Sequence, residues 1–228
     1  METKKLTPEQ ITKIDETIVL NGLIYDDIKL ELTDHIASEI EAEMEEKEIS
    51  FETAFKQAFE NWKEQLRPST SLWVGSTNVV PRIVMDKWLL NSKKRQLKGL
   101  LIAFVFAFLL TIFSRNINNE IVFANMRMML KIIFIIELVL LLVGKYLIWK
   151  SKLTTSFGFF YKKLGFSIMF FLFYLAIGLM PMRFFNPDLT LNLVFNFFPS
   201  LYVVWPIYFL QLVFKHFQFE RKLSISKQ

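Results

Sequence analysis

The chain has no cysteine, and its 228 residues include only seven glycines and two histidines. The absence of cysteine excludes disulfides, thiolate metal sites and cysteine nucleophiles. Catalytic Ser/His/Asp patterns, glycine-rich phosphate loops and HExxH are also absent, so we expect no enzyme and no cofactor. The two histidines, His35 and His216, stand far apart in the sequence. They therefore indicate no metal centre.

Acidic residues are scarce after residue 67, and the charge of the chain is divided accordingly. Residues 1–67 carry eight Lys and Arg against seventeen Asp and Glu, a net charge of −9. Residues 68–228 carry nineteen against five, a net charge of +14. The basic residues stand beside apolar runs, which is how Lys and Arg flank membrane spans. We therefore expect a lipid bilayer as the partner of this part, and no nucleic acid.

Residues 1–67 have the pattern of a small domain of three helices. Thr7, Pro8 and Gln10 form a helix start signal, and Asn21-Gly22 a stop signal. A second helix, from about Tyr25 to Lys47, has an apolar residue at every fourth position, and these residues form one stripe along the helix. A third helix follows Ser50 and carries an aromatic stripe that includes Trp62. The two stripes comprise Ile28, Leu32, Ile36, Ile40 and Met44 on the second helix, and Phe51, Ala54, Phe55, Ala58, Phe59, Trp62 and Leu66 on the third.

Two short motifs in this domain resemble a known type of module. They are Leu32, His35, Ile36 and Ile40 on the second helix, followed by Ser50, Phe51, Ala54 and Ala58. In this spacing, residues 7–67 resemble the HAAS-type and permease-prefix helical domains of bacterial membrane proteins. The resemblance implies a cytoplasmic module with a regulatory or accessory role. The stretch "FENWKEQL" departs from the pattern, because many relatives have a Gly-Pro turn there.

Two residues of the module are candidate docking residues. His35 is either a functional side chain or a residue packed at the edge of the core, next to the stripe of Leu32 and Ile36. Trp62 either lies buried in the aromatic stripe or is exposed for docking. The acidic face is either solvated or docks on basic loops of this chain or of a partner.

Residues 68–96 form a linker with a possible interfacial helix. Pro81 can open a helix, and Trp88 beside Lys87 fits a segment at the depth of the lipid headgroups. The alternative is a plain extension of the first membrane span.

Four apolar segments follow, at about residues 97–113, 128–149, 164–182 and 191–214, before a basic tail at 215–228. Each is about long enough to cross a bilayer, which takes roughly 17–25 helical residues. The sequence thus predicts an all-α protein, with a cytoplasmic three-helix domain and a four-helix transmembrane bundle. Thirteen flanking Lys and Arg lie on the side of the termini and four on the other. We therefore expect both termini in the cytoplasm, and a bacterial inner membrane as the location.

Glu137 is the one acidic residue inside a predicted span. An ionised carboxylate at the bilayer centre costs about 2.5–3.5 kcal/mol on insertion scales, so Glu137 should be protonated or partnered. Tyr174 and Tyr202 have similar expected depths, and the three residues form a candidate intramembrane polar site. The alternatives are a proton or cation relay, a polar lock with another subunit, and one structural hydrogen bond.

Two functions fit these patterns. The first is an accessory or regulatory inner-membrane protein, which acts through the cytoplasmic module on a protein partner or within a homo-oligomer. The alternative is a subunit of a transporter or channel, with Glu137 and the fourth span lining a path. Pro199 and Pro206 are expected to bend that span.

Overall fold

The computed structural model describes residues 5–72, 74–117, 119–180 and 182–226. Outside the described residues therefore lie residues 1–4 of the predicted domain 1–67, residues 227–228 of the predicted tail, Trp73 in the predicted linker and Pro181 in the predicted third span. The described residues are 81% helical and form seven helices, which confirms the all-α class. It divides into two compact units: Met1–Leu90 with Lys152–Ser156, and Asn91–Ser151 with Phe157–Gln228.

The first unit contains three helices in the order predicted: α1 (Pro8–Leu20), α2 (Asp26–Glu46) and α3 (Phe51–Leu66). Helix α1 starts with a complete capping box, in which Thr7 accepts from the Gln10 backbone and Gln10 accepts from the Thr7 backbone. Helix α2 packs against both α1 and α3. The helical side chains buried in this unit include Ile14, Ile18, Ile28, Leu32, Ile36, Ile40, Phe51, Ala54, Ala58 and Leu66.

The first unit extends beyond residue 67, the predicted domain boundary. Short strands β1 (Pro68–Ser69) and β2 (Val80–Pro81) pair antiparallel, and the Arg82 N–H donates to the Arg67 carbonyl at 2.9 Å. Lys87 then forms an ion pair with Glu31 on α2. Val84 and Met85, which precede Lys87 in the sequence, are buried as well. Apolar packing therefore helps to hold residues 80–87 in the first unit.

Helix α4 (Arg82–Ile117) is continuous from this stretch through the first apolar segment. Its 36 residues correspond to a length of about 54 Å at 1.5 Å per residue. The segment considered as a possible interfacial helix is therefore continuous with the helix that contains the first apolar segment.

The second unit consists of the rest of α4, with α5 (Glu120–Lys150), α6 (Ser156–Ile177) from Phe157 onward, and α7 (Leu189–Ser226). All four helices are long and apolar enough to cross a membrane, which indicates a multi-pass membrane protein. Many of their large apolar side chains are exposed, such as Phe108, Ile136 and Phe166. Such side chains are stable in contact with lipid. Helix α7 continues without interruption through Pro199 and Pro206.

The third apolar helix differs from its predicted bounds of 164–182. Helix α6 begins at Ser156, so Lys162 and Lys163 are helical, and it ends at Ile177. Gly178 follows with a φ of 80°, and the Leu179 N–H donates to the Tyr174 carbonyl at 3.0 Å. This left-handed glycine after the last turn is a common helix ending, because glycine has no Cβ to oppose it. Hydropathy alone did not reveal this ending.

Candidate functional site

Glu137 lies on the buried stripe of α5. The buried residues of this helix recur at alternating steps of four and three through Leu130, Phe134, Glu137, Leu141 and Gly144. Only 9% of Glu137 is exposed, and its Oε2 atom is buried without a hydrogen-bond partner among the described residues. A buried polar atom without a partner is costly, so Glu137 is the polar group of α5 that most needs an explanation.

Helices α5 and α7 pack against each other, and two pairs of residues fix their register. A Cβ on Gly144 would lie 2.9 Å from Val213 Cγ2, so glycine permits close approach of the two helices. One heptad later, Ser151 Oγ donates to Glu220 Oε2 at 3.3 Å. Both pairs are offset by 69 residues, so the helices run parallel.

The same offset places Glu137 level with Pro206, one heptad before Val213. Pro206 is buried and has no N–H, so it cannot donate to the Tyr202 carbonyl four residues earlier. A protonated carboxyl has one O–H donor, which such a carbonyl can accept. Glu137 therefore lies at the level of α7 where a backbone acceptor lacks its usual helical donor.

The structure does not join Glu137 to the two tyrosines predicted beside it. No hydrogen bond between Glu137 and either Tyr174 or Tyr202 occurs among the described residues. The Tyr174 ring packs on Phe170, with ring centres 4.5 Å apart, and the Tyr202 ring lies 5.5 Å from that of Phe171. Both tyrosines are half-buried and take part in aromatic packing.

A second polar cluster was not identified in the sequence analysis. It joins α4 to α7 inside the second unit and consists of buried neutral side chains. Asn196 Nδ2 lies 3.0 Å from Thr111 Oγ1, and Asn192 Nδ2 lies 3.3 Å from Ser114 Oγ. Its members are Thr111, Ser114, Asn192, Asn196 and Ser200. The i, i+4, i+8 spacing of the three α7 members, in an apolar helix, was the signal that could have revealed it.

Asn196 is the centre of this cluster. Its Nδ2 atom is also within hydrogen-bond distance of the Phe184 carbonyl at 3.2 Å and of Asn192 Oδ1 at 3.3 Å, whereas its Oδ1 has no partner among the described residues. Hydroxyl and amide groups of this kind are typical fasteners between membrane helices. They do not titrate, so the cluster itself cannot carry protons as an acid or base. Among the described residues, no group of three or more His, Cys, Asp and Glu is placed to hold a metal.

The two candidate docking residues of the module have different environments. His35 is exposed on α2. Trp62 is half-buried, and its indole Nε1 donates to Glu39 Oε2 at 2.7 Å. Asn61 donates to the other oxygen of Glu39 at 2.9 Å. The indole N–H of Trp62 thus links α3 to α2. The sequence suggested that Trp62 is either buried or exposed, whereas the structure shows it half-buried with a hydrogen bond to α2.

The start of α2 holds a segment from much later in the chain. Asp26 and Thr154 exchange two hydrogen bonds: the Asp26 N–H donates to the Thr154 carbonyl at 2.7 Å, and the Thr154 N–H donates to Asp26 Oδ2 at 2.8 Å. The Asp27 carboxylate accepts from the Ser156 N–H at 2.7 Å and from the Ser156 hydroxyl. We call these four residues the aspartate clamp.

Burial is the main influence on the Asp27 carboxyl and raises its pKa, while the hydrogen bonds from Ser156 oppose that shift. Burial also raises the pKa of Tyr25, which precedes α2, to about 12. The clamp thus connects the module to the segment that links α5 to α6 through a buried Ser156 and an exposed Thr154.

A comparison of the chain with protein-family models, curated proteins and solved structures finds no match. The arguments for function therefore rest on the arrangement of the residues in this chain.

Proposed function

We propose that the chain is a regulatory or accessory protein of the bacterial inner membrane, which acts through protein contacts of its helical module. The aspartate clamp is the observation that carries this proposal. It makes the connection between α5 and α6 part of the same compact unit as α1, α2 and α3. A partner that binds and distorts the module would thereby act on the connection between two membrane helices.

The surface chemistry of the module supports a basic or polar partner. On the exposed side of α2, Glu31, Asp34 and His35 lie within five residues of one another, with Leu30 also 54% exposed. The resemblance of residues 7–67 to HAAS-type modules agrees with a regulatory role. The proposal assigns no catalytic activity to the chain.

Co-purification of the full-length protein from the native cell in mild detergent tests this function. We expect a protein partner, identified by mass spectrometry, that is lost when His35 and Asp34 are both replaced by Ala. These side chains are exposed, so the replacement leaves the core intact. Lys56→Ala, an exposed change on α3, is the matched control and should keep the partner. A partner that is retained by a chain lacking residues 1–67 would place recognition in the membrane helices and contradict the proposal.

The clamp itself is tested by limited trypsin digestion at Lys152. Asp27→Ala removes the acceptor for both Ser156 donors, so we expect faster cleavage after Lys152 than in the wild type. Asp34→Ala, which changes an exposed aspartate of the same helix, should cleave at the wild-type rate. Equal rates in all three proteins would mean that the clamp does not hold this segment in solution.

The proposed orientation places both termini in the cytoplasm, as the excess of Lys and Arg favours. Because the chain has no cysteine, single cysteines can be introduced without background labelling. A membrane-impermeant thiol reagent added to intact cells should label Asn116→Cys and not Lys222→Cys, both of which replace exposed residues. The reverse pattern would invert the topology.

A transporter or channel subunit is the second candidate, and the unpartnered Oε2 of Glu137 level with Pro206 favours it. Glu137→Gln preserves shape and removes titration, so a proton-coupled path would lose activity while the protein still assembles. Full complementation of a deletion strain by both Glu137→Gln and Glu137→Leu would assign Glu137 a structural role. The transporter hypothesis would then lose this support, and the regulatory function would remain as the proposal.

A further inference from the structure

Among the residues that the structure describes, no carboxylate pairs with the cation Arg95 at the N-terminal end of the first apolar segment. Its side chain is half-buried, and no ion pair or hydrogen bond engages it among the described residues. Another cation, Lys215 on α7, is close enough to Arg95 for the two charges to interact. Lys93 and Lys94 precede it in the same helix. A desolvated guanidinium beside a second cation favours an anion at this place.

A small cavity between α4 and α7 adjoins Arg95. Its volume is about 30 Å³, which is room for about one water, or for one or two oxygens of a phosphate. Trp205 and Tyr208 line the α7 side, and Tyr208 is within hydrogen-bonding reach of the buried Ser92. The cavity therefore combines a cation with polar and aromatic side chains.

An apolar groove continues from this cavity along the membrane-facing side of α4. The groove has a volume of about 500 Å³ and is open to the outside. Leu100 lines both the cavity and the groove, so the two are adjacent. From Leu97 to Phe104 the groove follows about 10 Å of helix, with Phe197 of α7 at its side. The walls are apolar except for Lys98. They run away from Arg95 into the apolar part of the helix, which suits part of one acyl chain.

We propose that the cavity and the groove together form a binding site for one anionic phospholipid, of the leaflet in which the N-terminal end of the first span lies. Arg95 pairs with the headgroup phosphate, with Lys215 adding positive potential, and the groove between Leu97 and Phe104 holds the upper part of an acyl chain. The arrangement selects an anionic headgroup, because Lys98 adds a further cation among the otherwise apolar lining residues of the groove. The site lies wholly within the second unit and does not depend on the module or on its partner.

Native mass spectrometry of the full-length protein in detergent, titrated with phosphatidylglycerol or phosphatidylcholine, tests the site. We expect one phosphatidylglycerol to be retained more tightly than phosphatidylcholine, and Arg95→Gln to weaken that retention by on the order of tenfold, as for one lost charge-assisted hydrogen bond. Lys94→Gln is the matched control, since it removes the same charge from an exposed neighbour that does not line the cavity. It should change retention by less than about twofold.

The acyl groove is tested separately. Phe104→Ala should weaken retention of both phospholipids by a similar factor, because the groove contacts the chain and not the headgroup. Glycerol 1-phosphate, which has a phosphate and no acyl chain, should not compete with phosphatidylglycerol at equal concentration. Competition by glycerol 1-phosphate would identify a site for a soluble phosphate and overturn the assignment to a lipid.

Two other outcomes also overturn the proposal. The first is equal retention of phosphatidylglycerol and phosphatidylcholine by the wild type, which is expected of ordinary boundary lipid. The second is an equal loss in Arg95→Gln and Lys94→Gln, which is expected of diffuse surface charge. If Arg95→Gln does not fold, Arg95→Lys retains the charge, and the wild-type preference between the two lipids still decides.

Discussion

The helices α1, α2 and α3 differ from the apolar helices of the second unit in whether polar side chains are buried among the apolar ones. In α1, α2 and α3 the buried side chains of the described residues are apolar, whereas α4, α5 and α7 bury Thr111, Glu137 and Asn196 among others. Water drives apolar groups together in the first case. In a bilayer the lipid chains are as apolar as leucine, so helices associate instead through close packing and hydrogen bonds. The same rules of physical chemistry thus give purely apolar burial in α1, α2 and α3, and mixed apolar and polar burial in the apolar helices.

The largest effect that tests this comparison is expected in the core of the module. Ile36 is fully buried on α2, so Ile36→Ala should lower the free energy of unfolding of the module by about 2–5 kcal/mol. Leu30→Ala, on the exposed side of the same helix, should cost less than about 0.5 kcal/mol. Protease susceptibility in increasing urea measures both. Similar values for the two variants would mean that burial does not stabilise this unit as described.

The next effect concerns the polar edge of the module. Trp62→Phe keeps most of the ring and removes the hydrogen bond to Glu39, so we expect a loss of about 1.5 kcal/mol, as for a bond to a charged group with some exposure. Glu39→Gln and the double variant complete a double-mutant cycle. A coupling energy near zero would show that the half-buried ring acts through packing alone. Because Trp62 is half-buried, its truncation to Ala should cost less than the 3–5 kcal/mol that is typical of a buried Trp.

A smaller effect is expected for the polar cluster between α4 and α7. Asn196→Leu removes the hydrogen bonds to Thr111 and to the Phe184 carbonyl, but it also removes the cost of burying an amide. Hydrogen bonds between membrane helices contribute about 0.6–1.7 kcal/mol, and we expect a loss in this range. Val194→Leu, on an exposed part of α7, is the control. Resistance to unfolding by sodium dodecyl sulfate measures both, and a loss as large as that of Ile36→Ala would break the contrast between the units.

The smallest effect is the pH dependence of the aspartate clamp. Burial raises the pKa of Asp27 in the folded state above its ordinary value of 3.8. A raised folded-state pKa adds stability that is complete below the unfolded value and is lost as the pH rises through the folded value. Relative to Asp27→Asn, the wild type should therefore become less stable as the pH rises from about 3.8 through the folded pKa. Unfolding of both proteins at a series of pH values measures this difference, and an opposite slope would mean that the Ser156 hydrogen bonds outweigh burial.

Local patterns in the sequence predicted the local structure well. Spacing of four residues identified Ile28, Leu32, Ile36 and Ile40, all of which are buried on α2. Thr7 with Gln10 predicted the capping box. These features depend on residues only three or four apart, for which the helix repeat fixes the geometry. Hydropathy likewise identified all four apolar helices, although it placed the ends of α6 several residues away from their positions.

Contacts between distant segments were not predictable from the same patterns. The aspartate clamp joins residues that are 128 and 129 positions apart, and neither Asp26 nor Ser156 belongs to a periodic pattern. The expected depth in the membrane grouped Glu137 with Tyr174 and Tyr202, but the rings of both tyrosines pack on phenylalanines. Depth alone does not determine which face of a helix meets its neighbour. The Gly144 contact with Val213 provides that information, and it became visible only in the folded chain.

The inclusion of Lys152–Ser156 in the first unit has a consequence for the order in which the protein is made. A ribosome that has finished Leu90 must still translate residues 91–151 before this segment exists. At about 5–20 residues per second, that interval lasts about 3–12 s. During it, α4 and α5 enter the membrane while Asp26 and Asp27 await their acceptor and donor groups. The module of a nascent chain is therefore completed only after its first pair of membrane helices has been synthesised, and the clamp can form only from that point onward.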